Sequence, residues 1–204
     1  SQSQAQQPAS AAQHAQPNLA SVSPLIVQEL GKTLLIEKTH FDVRAFVLVG
    51  STMPFMVFFH HGYVRMASGT VDGRASWHGA FDAPDAKPMS MVNFQRHLAN
   101  NKVTGTHYVD TFLKSSMKKM AVLLFQAARP KLRRRRGSYQ LYAMDFVVDD
   151  QLRVWFVKAD PHPSLEVSQA VFDGAGMVTD MLDLVMELAE EPVAFEQMVT
   201  GDKY

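Results

Sequence analysis

The sequence predicts an α+β fold, in which an antiparallel sheet is flanked by helices that form a separate set. Three observations carry this prediction. Runs rich in β-branched residues alternate like strands, short Gly- or Pro-containing turns separate several of them, and two amphipathic segments have helical spacing. Strands joined in hairpins with the helices kept apart are typical of α+β domains and not of parallel doubly wound sheets.

The expected strands come mostly before the helices. Strands are predicted at residues 25–29, 42–49 and 56–59, and the last of these lies in a hairpin that is expected to turn near Gly62. Residues 69–90 are rich in Gly, Asp, Pro and Ala and predict a long loop. A final hairpin is predicted later in the chain, over residues 139–165.

Two amphipathic helices are predicted, at 110–128 and 176–189. Asp110 is the expected N-cap of the first helix, and Pro130 ends it. Each helix has an apolar side that is expected to face the core. For the first helix this side comprises Phe112, Leu113, Met117, Met120, Leu123 and Leu124. For the second helix it comprises Met181, Leu184, Val185 and Leu188.

Composition divides the chain and excludes several classes of protein. Residues 1–23 form a low-complexity tail rich in Gln, Ala, Ser and Pro, 24–192 form the expected domain, and 193–204 form a C-terminal tail. Twenty basic and 20 acidic side chains cancel, so no global field favours nucleic acid or a membrane. The absence of cysteine excludes disulfides and Cys-based metal sites. No apolar run reaches the roughly 18 residues of a membrane-spanning helix, and no membrane partner is expected.

Four stretches carry a resemblance to a known family. They are LIVQELGKTLLIEKTHFDVRAFVLV at 25–49, GYVRMAS at 62–68, HLANN at 97–101 and the hairpin YQLYAMDFVVDDQLRVWFVKADPHPSL at 139–165. In this order they resemble the tubulin–tyrosine-ligase-like family, a branch of the ATP-grasp ligases that includes the polyglutamylases. The resemblance covers about residues 25–188 and implies the C-terminal half of an ATP-grasp domain.

The resemblance also implies three groups of site residues. The positions that match catalytic residues of the family, and are expected to be inactive here, are Arg44, Arg65 and Asn100. The positions that match its nucleotide site are Gln28, Leu30, His40 and Asp42. The positions that match its metal ligands are Asp145, Lys158 and Asp160, where the family has Asp, Glu and Asn.

The metal-ligand set departs from the family at a decisive position. Lys158 replaces an acid, which changes the local charge by two units and puts an ammonium where a divalent cation is expected. At ~4 Å and an effective dielectric near 20, each unit of charge contributes about 4 kcal/mol. Lys158 is therefore expected to pair with Asp145 or Asp160. His40 likewise stands where the family has Lys, which weakens the positive charge that is expected to bind the nucleotide.

A glycine-rich phosphate loop is a further feature that the family's enzymes need. They carry it in an upstream half-domain, whereas here only low-complexity sequence precedes Pro24. No G-x-x-x-x-G-K-[ST] pattern occurs anywhere in the chain. Two explanations are expected for the missing half. Either it lies on a segment outside this chain, or the protein is a non-catalytic relic that has lost it.

A basic run leaves two interpretations open. Lys131 and the four arginines Arg133, Arg134, Arg135 and Arg136 lie beyond the first predicted helix. They form either a solvated loop that complements the helix C-terminus, or a contact to a polyanion such as RNA or an acidic tubulin tail.

Two functions follow from the sequence. The first is a degenerate, non-catalytic component of a large protein or ribonucleoprotein assembly, such as an axoneme, with no cofactor. The alternative is an ATP- and Mg²⁺-dependent ligase that adds tyrosine or glutamate to tubulin, with its N-terminal half outside this chain. Either function implies an intracellular location, in the cytoplasm, a cilium or an organelle matrix.

Overall fold

The structure is a computed structural model, and it describes residues 32–68, 81 and 86–190. The strands are β1 (Leu35–Ile36), β2 (Thr39–Thr52), β3 (Phe55–Met66), β4 (Lys87–Met89), β5 (Gln140–Val148) and β6 (Val154–Asp160). The helices are α1 (Met91–Asn100), α2 (Lys114–Ala128) and α3 (Gly174–Glu190). A π-helical turn, Val109–Leu113, leads into α2, and a 3₁₀ turn, Arg129–Lys131, follows it.

The strands form one antiparallel sheet in the order β4-β3-β2-β5-β6, and β1 pairs with β2 at its beginning. This confirms the predicted α+β class and the final hairpin, which consists of β5 and β6. The strand predicted at 42–49 runs further, from Thr39 to Thr52, and almost all of it is buried. The strand predicted at 25–29 and both tails lie outside the described residues.

The two faces of the sheet have different partners because alternate residues of a strand point to opposite sides. On β2, Val43, Ala45 and Val47 belong to the main core, which they share with apolar side chains of α1 and α2. Phe46 points to the opposite face and packs with Tyr63, Ala143 and Phe172. Asp42 and Arg44 share the face of Phe46, so this second face carries the charged site.

Gly62 does not turn a hairpin, and that prediction is wrong. It lies inside β3, which pairs with β2 as one continuous strand of 12 residues. The pairs Arg44↔Tyr63 and Phe46↔His60 leave one extra residue on β3, which defines a β-bulge. Gly62 has φ +45, and a Cβ at this position would lie 2.1 Å from the carbonyl oxygen of Arg44. The glycine is needed for a bulge and not for a turn.

The beginning of the first predicted helix also differs from the prediction. Asp110 is not its N-cap: it lies within the π-helical turn, where its carboxylate is 2.6 Å from the Lys114 ammonium. The preceding residue, Tyr108, already has helical backbone angles and makes no capping hydrogen bond with its side chain. Helix α2 ends at Ala128, before Pro130, as predicted.

The core-facing side of α2 is narrower than the sequence predicts. Leu113 and Met117 are buried and Met120 and Leu124 are partly buried, as predicted. Phe112 and Leu123 were expected in the core, but they are 47% and 65% exposed. The π-helical turn changes the angular position of Phe112, and Leu123 lies six residues after Met117, which is about 120° away around a regular helix. The buried side is completed by two residues that were not predicted, Ala121 and Phe125.

Strands β1 and β4 and helix α1 were not predicted, whereas the last helix was predicted correctly. Residues Lys87–Met89 lie within the predicted loop but pair with β3, and helix α1 follows them, capped by a hydrogen bond from Asn93 N to Ser90 Oγ at 3.3 Å. Strand β4 has three residues and is too short to show a period, whereas Met91, Phe94 and Leu98 of α1 are buried at helical spacing, which was the available signal for this helix. In α3, Val185 and Leu188 are buried on the predicted side. Among the described residues, no helix has the length and apolar character that crossing a bilayer requires.

Candidate functional site

Four charged side chains meet on the second face of the sheet because of strand pairing. Asp42 and Arg44 are two residues apart on β2, so both point to this face, as predicted. Arg65 on β3 is paired with Asp42, and Asp145 on β5 is paired with Arg44. The register of three strands therefore assembles a cluster of two acids and two arginines, which we call the charge network.

The charge network is closed by bidentate hydrogen bonds. Arg44 donates from Nε and Nη2 to the two carboxylate oxygens of Asp145, at 2.8 and 2.9 Å. Arg65 donates from Nε to Asp42 Oδ1 at 2.9 Å, and its Nη2 contacts both Asp42 Oδ2 and, at 2.8 Å, Asp145 Oδ2. All four side chains are buried, and buried charges are tolerated when they are paired and hydrogen-bonded in this way.

The two carboxyls of the network titrate differently. Burial alone would raise the pKa of Asp145, but the hydrogen bonds and charges of Arg44 and Arg65 outweigh it and lower that pKa below its ordinary value. Burial raises the pKa of Asp42 to about 6, because its loss of hydration outweighs the hydrogen bond and charge of Arg65. Asp145 is thus the firmly ionised acceptor at the centre of the network.

The predicted ion pair of Lys158 is present. Lys158 lies directly opposite Asp145 in the β5–β6 hairpin, and its Nζ is 3.7 Å from Asp145 Oδ2. Asp160 is paired with Ala143, two residues before Asp145, so it lies on the same face, as expected. The Asp160 carboxylate accepts a hydrogen bond from the His162 backbone N–H at 2.9 Å. The Lys158 side chain is 46% exposed and forms the outer edge of the network.

These residues do not fit a divalent cation as they stand. Mg²⁺ prefers about six oxygen ligands at 2.0–2.1 Å. Both Asp145 oxygens are already occupied by guanidinium groups, and an ammonium stands beside them. Asp160 is the one remaining carboxylate of the predicted ligand set. In the part of the chain that the structure describes, no three His, Cys, Asp or Glu side chains cluster in a way that could hold a metal.

The remaining predicted site residues are not in the charge network. The Nδ1 of His40 is 3.0 Å from Thr33 Oγ1, and burial lowers the pKa of His40, which favours a neutral ring. A neutral imidazole does not supply the positive charge of the lysine that the family has at this position. Asn100 is the last residue of α1, and its side chain is exposed. Gln28 and Leu30 lie outside the described residues.

Asp149 was not predicted as a site residue, yet it fixes the geometry of the hairpin. Its carboxylate accepts hydrogen bonds from Gln151 N, Arg153 N, Arg153 Nε and Trp155 Nε1, at 2.7–2.9 Å. These bonds hold the turn between β5 and β6, and the turn together with a bulge at Val157 sets which residue of β6 lies opposite Asp145. The second acid of the D-F-V-V-D motif was the available signal in the sequence.

The basic run lies far from the charge network. Lys131 ends the 3₁₀ turn after α2, and residues 133–136 form an exposed loop. The loop is bonded to Thr52, at the end of β2, whereas the network lies near the beginning of that strand. From Arg44 to Thr52 the strand covers roughly 26 Å, at about 3.3 Å per residue. The charge network and the basic run are therefore separate from each other.

Comparison with known proteins agrees with the motif order. A sequence model described as the tubulin-tyrosine ligase family matches residues 9–76 and 72–192, which together make up most of the chain. The chain belongs to the tubulin-tyrosine ligase family. The suggested relation to one half of an ATP-grasp domain is not tested by this match and stays a prediction.

Curated relatives of this tubulin-tyrosine ligase family member are much longer proteins. The chain is 28% identical to the inactive polyglycylase TTLL10 of Homo sapiens, over 91% of this chain and 31% of that protein. It is 25% identical to the tubulin monoglycylase TTLL3 of Mus musculus, over 84% of this chain and 21% of that protein. It is 22% identical to the tubulin polyglutamylase TTLL5 of Mus musculus, over 82% of this chain and 15% of that protein. The chain thus spans about a third or less of these relatives.

Proposed function

We propose that this protein is a non-catalytic member of its family that acts as a structural component of a larger assembly. The observation that carries the proposal is the position of Lys158, whose ammonium stands 3.7 Å from Asp145 where the family has an acid. The similarity to the inactive polyglycylase TTLL10 of Homo sapiens also supports a non-catalytic role. No nucleotide or metal is required for this function.

The charge balance of the site supports the proposal. Asp42, Arg44, Arg65 and Asp145 sum to zero at neutral pH, and Lys158 adds one positive charge at the edge. A site for Mg-ATP needs surplus negative ligands to hold the metal. Here Asp145 would have to exchange its guanidinium and ammonium partners for the metal, and Lys158 would then repel that metal at close range.

The alternative is an ATP-dependent ligase that adds an amino acid to tubulin. It is favoured by the relatives named tubulin monoglycylase and tubulin polyglutamylase, and by the intact pairing of Arg44 and Arg65 with the two acids. If this function holds, Asp145 and Asp160 are the residues that would hold Mg²⁺, and the nucleotide would require a segment beyond this chain.

Binding of a divalent cation separates the two functions because the ligand positions lie on this chain. We expect the wild-type protein to bind Mn²⁺, measured by calorimetry with and without ATP, no tighter than about millimolar, or about −4 kcal/mol. The double variant Lys158→Glu/Asp160→Asn restores the family's ligand types and is expected to bind Mn²⁺ at least about tenfold tighter.

A matched control for this test is Lys38→Gln, which makes the same net charge change of one negative unit at an exposed lysine outside the network. It should leave Mn²⁺ binding unchanged. Micromolar binding of Mn²⁺ and ATP by the wild-type protein would establish the ligase alternative. Equal binding by the wild type and the double variant would show that Lys158 does not control the site.

The assembly proposal has its own test. The protein is proposed to sit in a large protein or ribonucleoprotein assembly inside the cell, in the cytoplasm, a cilium or an organelle matrix. We propose that residues 1–23 contact this assembly, since a tail of their composition gains order only against a compensating surface, at roughly 1–2 kcal/mol per residue. The native protein should sediment with a large complex. Sedimentation as a free monomer would contradict the proposal.

A further inference from the structure

The zero net charge of the chain hides a strongly basic segment. Residues 111–144 contain nine Lys or Arg and no Asp or Glu, although the whole chain has 20 of each sign. The rest of the chain therefore has 11 basic and 20 acidic side chains. A separation of charge along the chain of this kind indicates a partner of one sign for the basic part.

The structure brings most of these cations to the surface. Lys118 and Lys119 are exposed on α2, and Lys131 and residues 133–136 are exposed beyond it. Within the described ranges, the arginines at 133–136 form no ion pair with a carboxylate of this protein. We call Lys118, Lys119, Arg129, Lys131 and residues 133–136 the basic surface. Among the residues that the structure describes, no carboxylate forms a salt bridge with these cations, so their charge is available to a partner.

The arginine loop is fixed in position. Thr52 Oγ1 donates a hydrogen bond to the Arg135 carbonyl oxygen at 3.1 Å and accepts one from Arg135 N at 3.0 Å. The Ser138 N–H donates to the same carbonyl at 3.4 Å, and Gly137 supplies φ +68 at the turn. Four adjacent guanidinium groups are therefore held on one short, anchored loop, where their mutual repulsion favours a ligand with several closely spaced anions.

Planar surfaces lie beside these cations. The guanidinium carbon of Arg129 is 5.2 Å from the centre of the Phe55 ring, and Tyr139 is 47% exposed just after the loop. A cavity of about 320 Å³ opens at this place. Its lining consists of Thr52, Phe55, Arg129, Pro130, Leu132 and Arg134. Aromatic rings and guanidinium planes are the groups on which unpaired bases stack.

We infer that the basic surface binds the phosphodiester backbone of a single-stranded nucleic acid, with bases stacking near Tyr139 and Phe55. The successive phosphates of a single strand match the four adjacent guanidinium groups at 133–136, and free bases match the planar groups. An acidic peptide would match the cations but leave the exposed ring of Tyr139 without a partner. This partner adds to the proposed non-catalytic function but rests on other residues, because the charge network lies at the other end of β2.

Fluorescence anisotropy on the full chain tests the inference, with a labelled 20-nucleotide oligouridine, oligothymidine, a 20-base-pair duplex and a 20-residue polyglutamate. We expect the single strands to bind tightest, with an affinity that falls linearly with salt on logarithmic axes, at a slope of about −0.7 per neutralised phosphate. A preference for oligouridine identifies RNA as the source of the backbone, through its 2′-hydroxyls, and a preference for oligothymidine identifies DNA.

Changing the four arginines at 133–136 to Ser should weaken single-strand binding at least about tenfold and reduce the salt slope by about 3. The matched control changes four exposed cations elsewhere to Ser and should stay within about twofold of the wild type. These control positions are Lys32, Lys87, Arg96 and Lys102. Tyr139→Ala should lower affinity about fivefold or more without changing the slope, which separates stacking from charge.

Three results would overturn the inference. They are unchanged single-strand binding by the arginine variant, equal losses in the arginine variant and the control, and tighter binding of polyglutamate than of the single strands. If the arginine variant does not fold, Lys118→Gln/Lys119→Gln tests the same surface and should weaken binding about threefold or more. The Lys158→Glu/Asp160→Asn variant should bind nucleic acid like the wild type, so failure of this inference and failure of the proposed function remain distinguishable.

Discussion

At the scale of single residues, Asp145 holds the charged site together. It accepts three hydrogen bonds from Arg44 and Arg65 and lies near a third cation, Lys158. Asp145→Asn removes the negative charge but keeps the shape, and it leaves two guanidinium groups buried with one acid between them. We expect the free energy of unfolding to fall by about 3–5 kcal/mol, measured by urea denaturation.

Lys158→Gln is the control for that measurement. The Lys158 side chain is 46% exposed, and its contact with Asp145 is long. Exposed ion pairs contribute about 0–1 kcal/mol, so this change should have a small effect on unfolding. If the two variants lost equal stability, the view that the buried arginines determine the energetics of the network would be wrong.

The lowered pKa of Asp149 predicts that the stability of the folded protein depends on pH. Desolvation would raise the pKa of Asp149, but hydrogen bonds from Trp155 and from the backbone and side chain of Arg153 outweigh it and lower the pKa to about 2. A lowered pKa in the folded state contributes stability above the ordinary value near 3.8, and this contribution is lost as the pH falls through 2. Asp149→Asn should therefore cost about 1 kcal/mol at pH 7.

The measurement compares urea unfolding of the wild type and Asp149→Asn between pH 7 and pH 2, so that groups common to both proteins cancel. The difference in unfolding free energy should be constant above about pH 4 and should shrink towards zero near pH 2. A difference that stays the same across this range would show that the Asp149 charge does not stabilise the hairpin turn.

At the scale of elements, the bulge in β3 is the feature most sensitive to a small change. Gly62→Ala puts a methyl group where a Cβ would lie 2.1 Å from the Arg44 carbonyl oxygen, at a backbone with φ +45. Backbone atoms cannot move aside cheaply, so we expect a loss of about 2 kcal/mol or more in thermal or urea unfolding. Gly105→Ala is the control, since nothing lies within 4 Å of that position, and it should be nearly neutral.

The bulge also connects an element to the site. It shifts the pairing so that Tyr63 and Arg65 lie opposite Arg44 and Asp42 on the charged face. Gly62→Ala should therefore disturb the burial of Arg65 as well as lower stability. Hydrogen exchange of the β3 amides would show this as faster exchange around Arg65. If Gly62→Ala were destabilised but its β3 amides exchanged at the wild-type rate, the strain would lie outside β3.

At the scale of the whole molecule, the proposed function predicts that Mg-ATP hardly stabilises the folded protein. A ligand stabilises the folded state according to the ratio of its concentration to its Kd. At 5 mM Mg-ATP and a Kd of about 1 mM or weaker, the gain is about 1 kcal/mol or less, and a thermal melt should barely move. A Kd of a few micromolar would add about 4 kcal/mol and raise the melting temperature clearly, which would contradict the proposed function.

The sequence by itself determined the family, the antiparallel pairing and the ion pair of Lys158. Strand alternation is a local property, so Asp42 and Arg44 could be placed on one face without coordinates. The resemblance to the family, and not spacing, placed Lys158 in one ligand set with Asp145. The same local reasoning was wrong at Gly62, because a glycine with a positive φ occurs both in turns and in bulges, and only the partner strand distinguishes them.

Tertiary structure alone decided how the charges are shared and which surfaces remain open. Arg44 and Asp145 are 101 positions apart, and no pattern along the chain shows that they form a bidentate pair while Arg65 bridges to Asp42. Which side of α2 faces the sheet depended on the packing of the helix, and that packing left Leu123 exposed. The anchoring of the arginine loop by Thr52, 83 positions before Arg135, was equally hidden. Contacts between distant residues depend on the register of several strands at once, and a local period cannot specify that register.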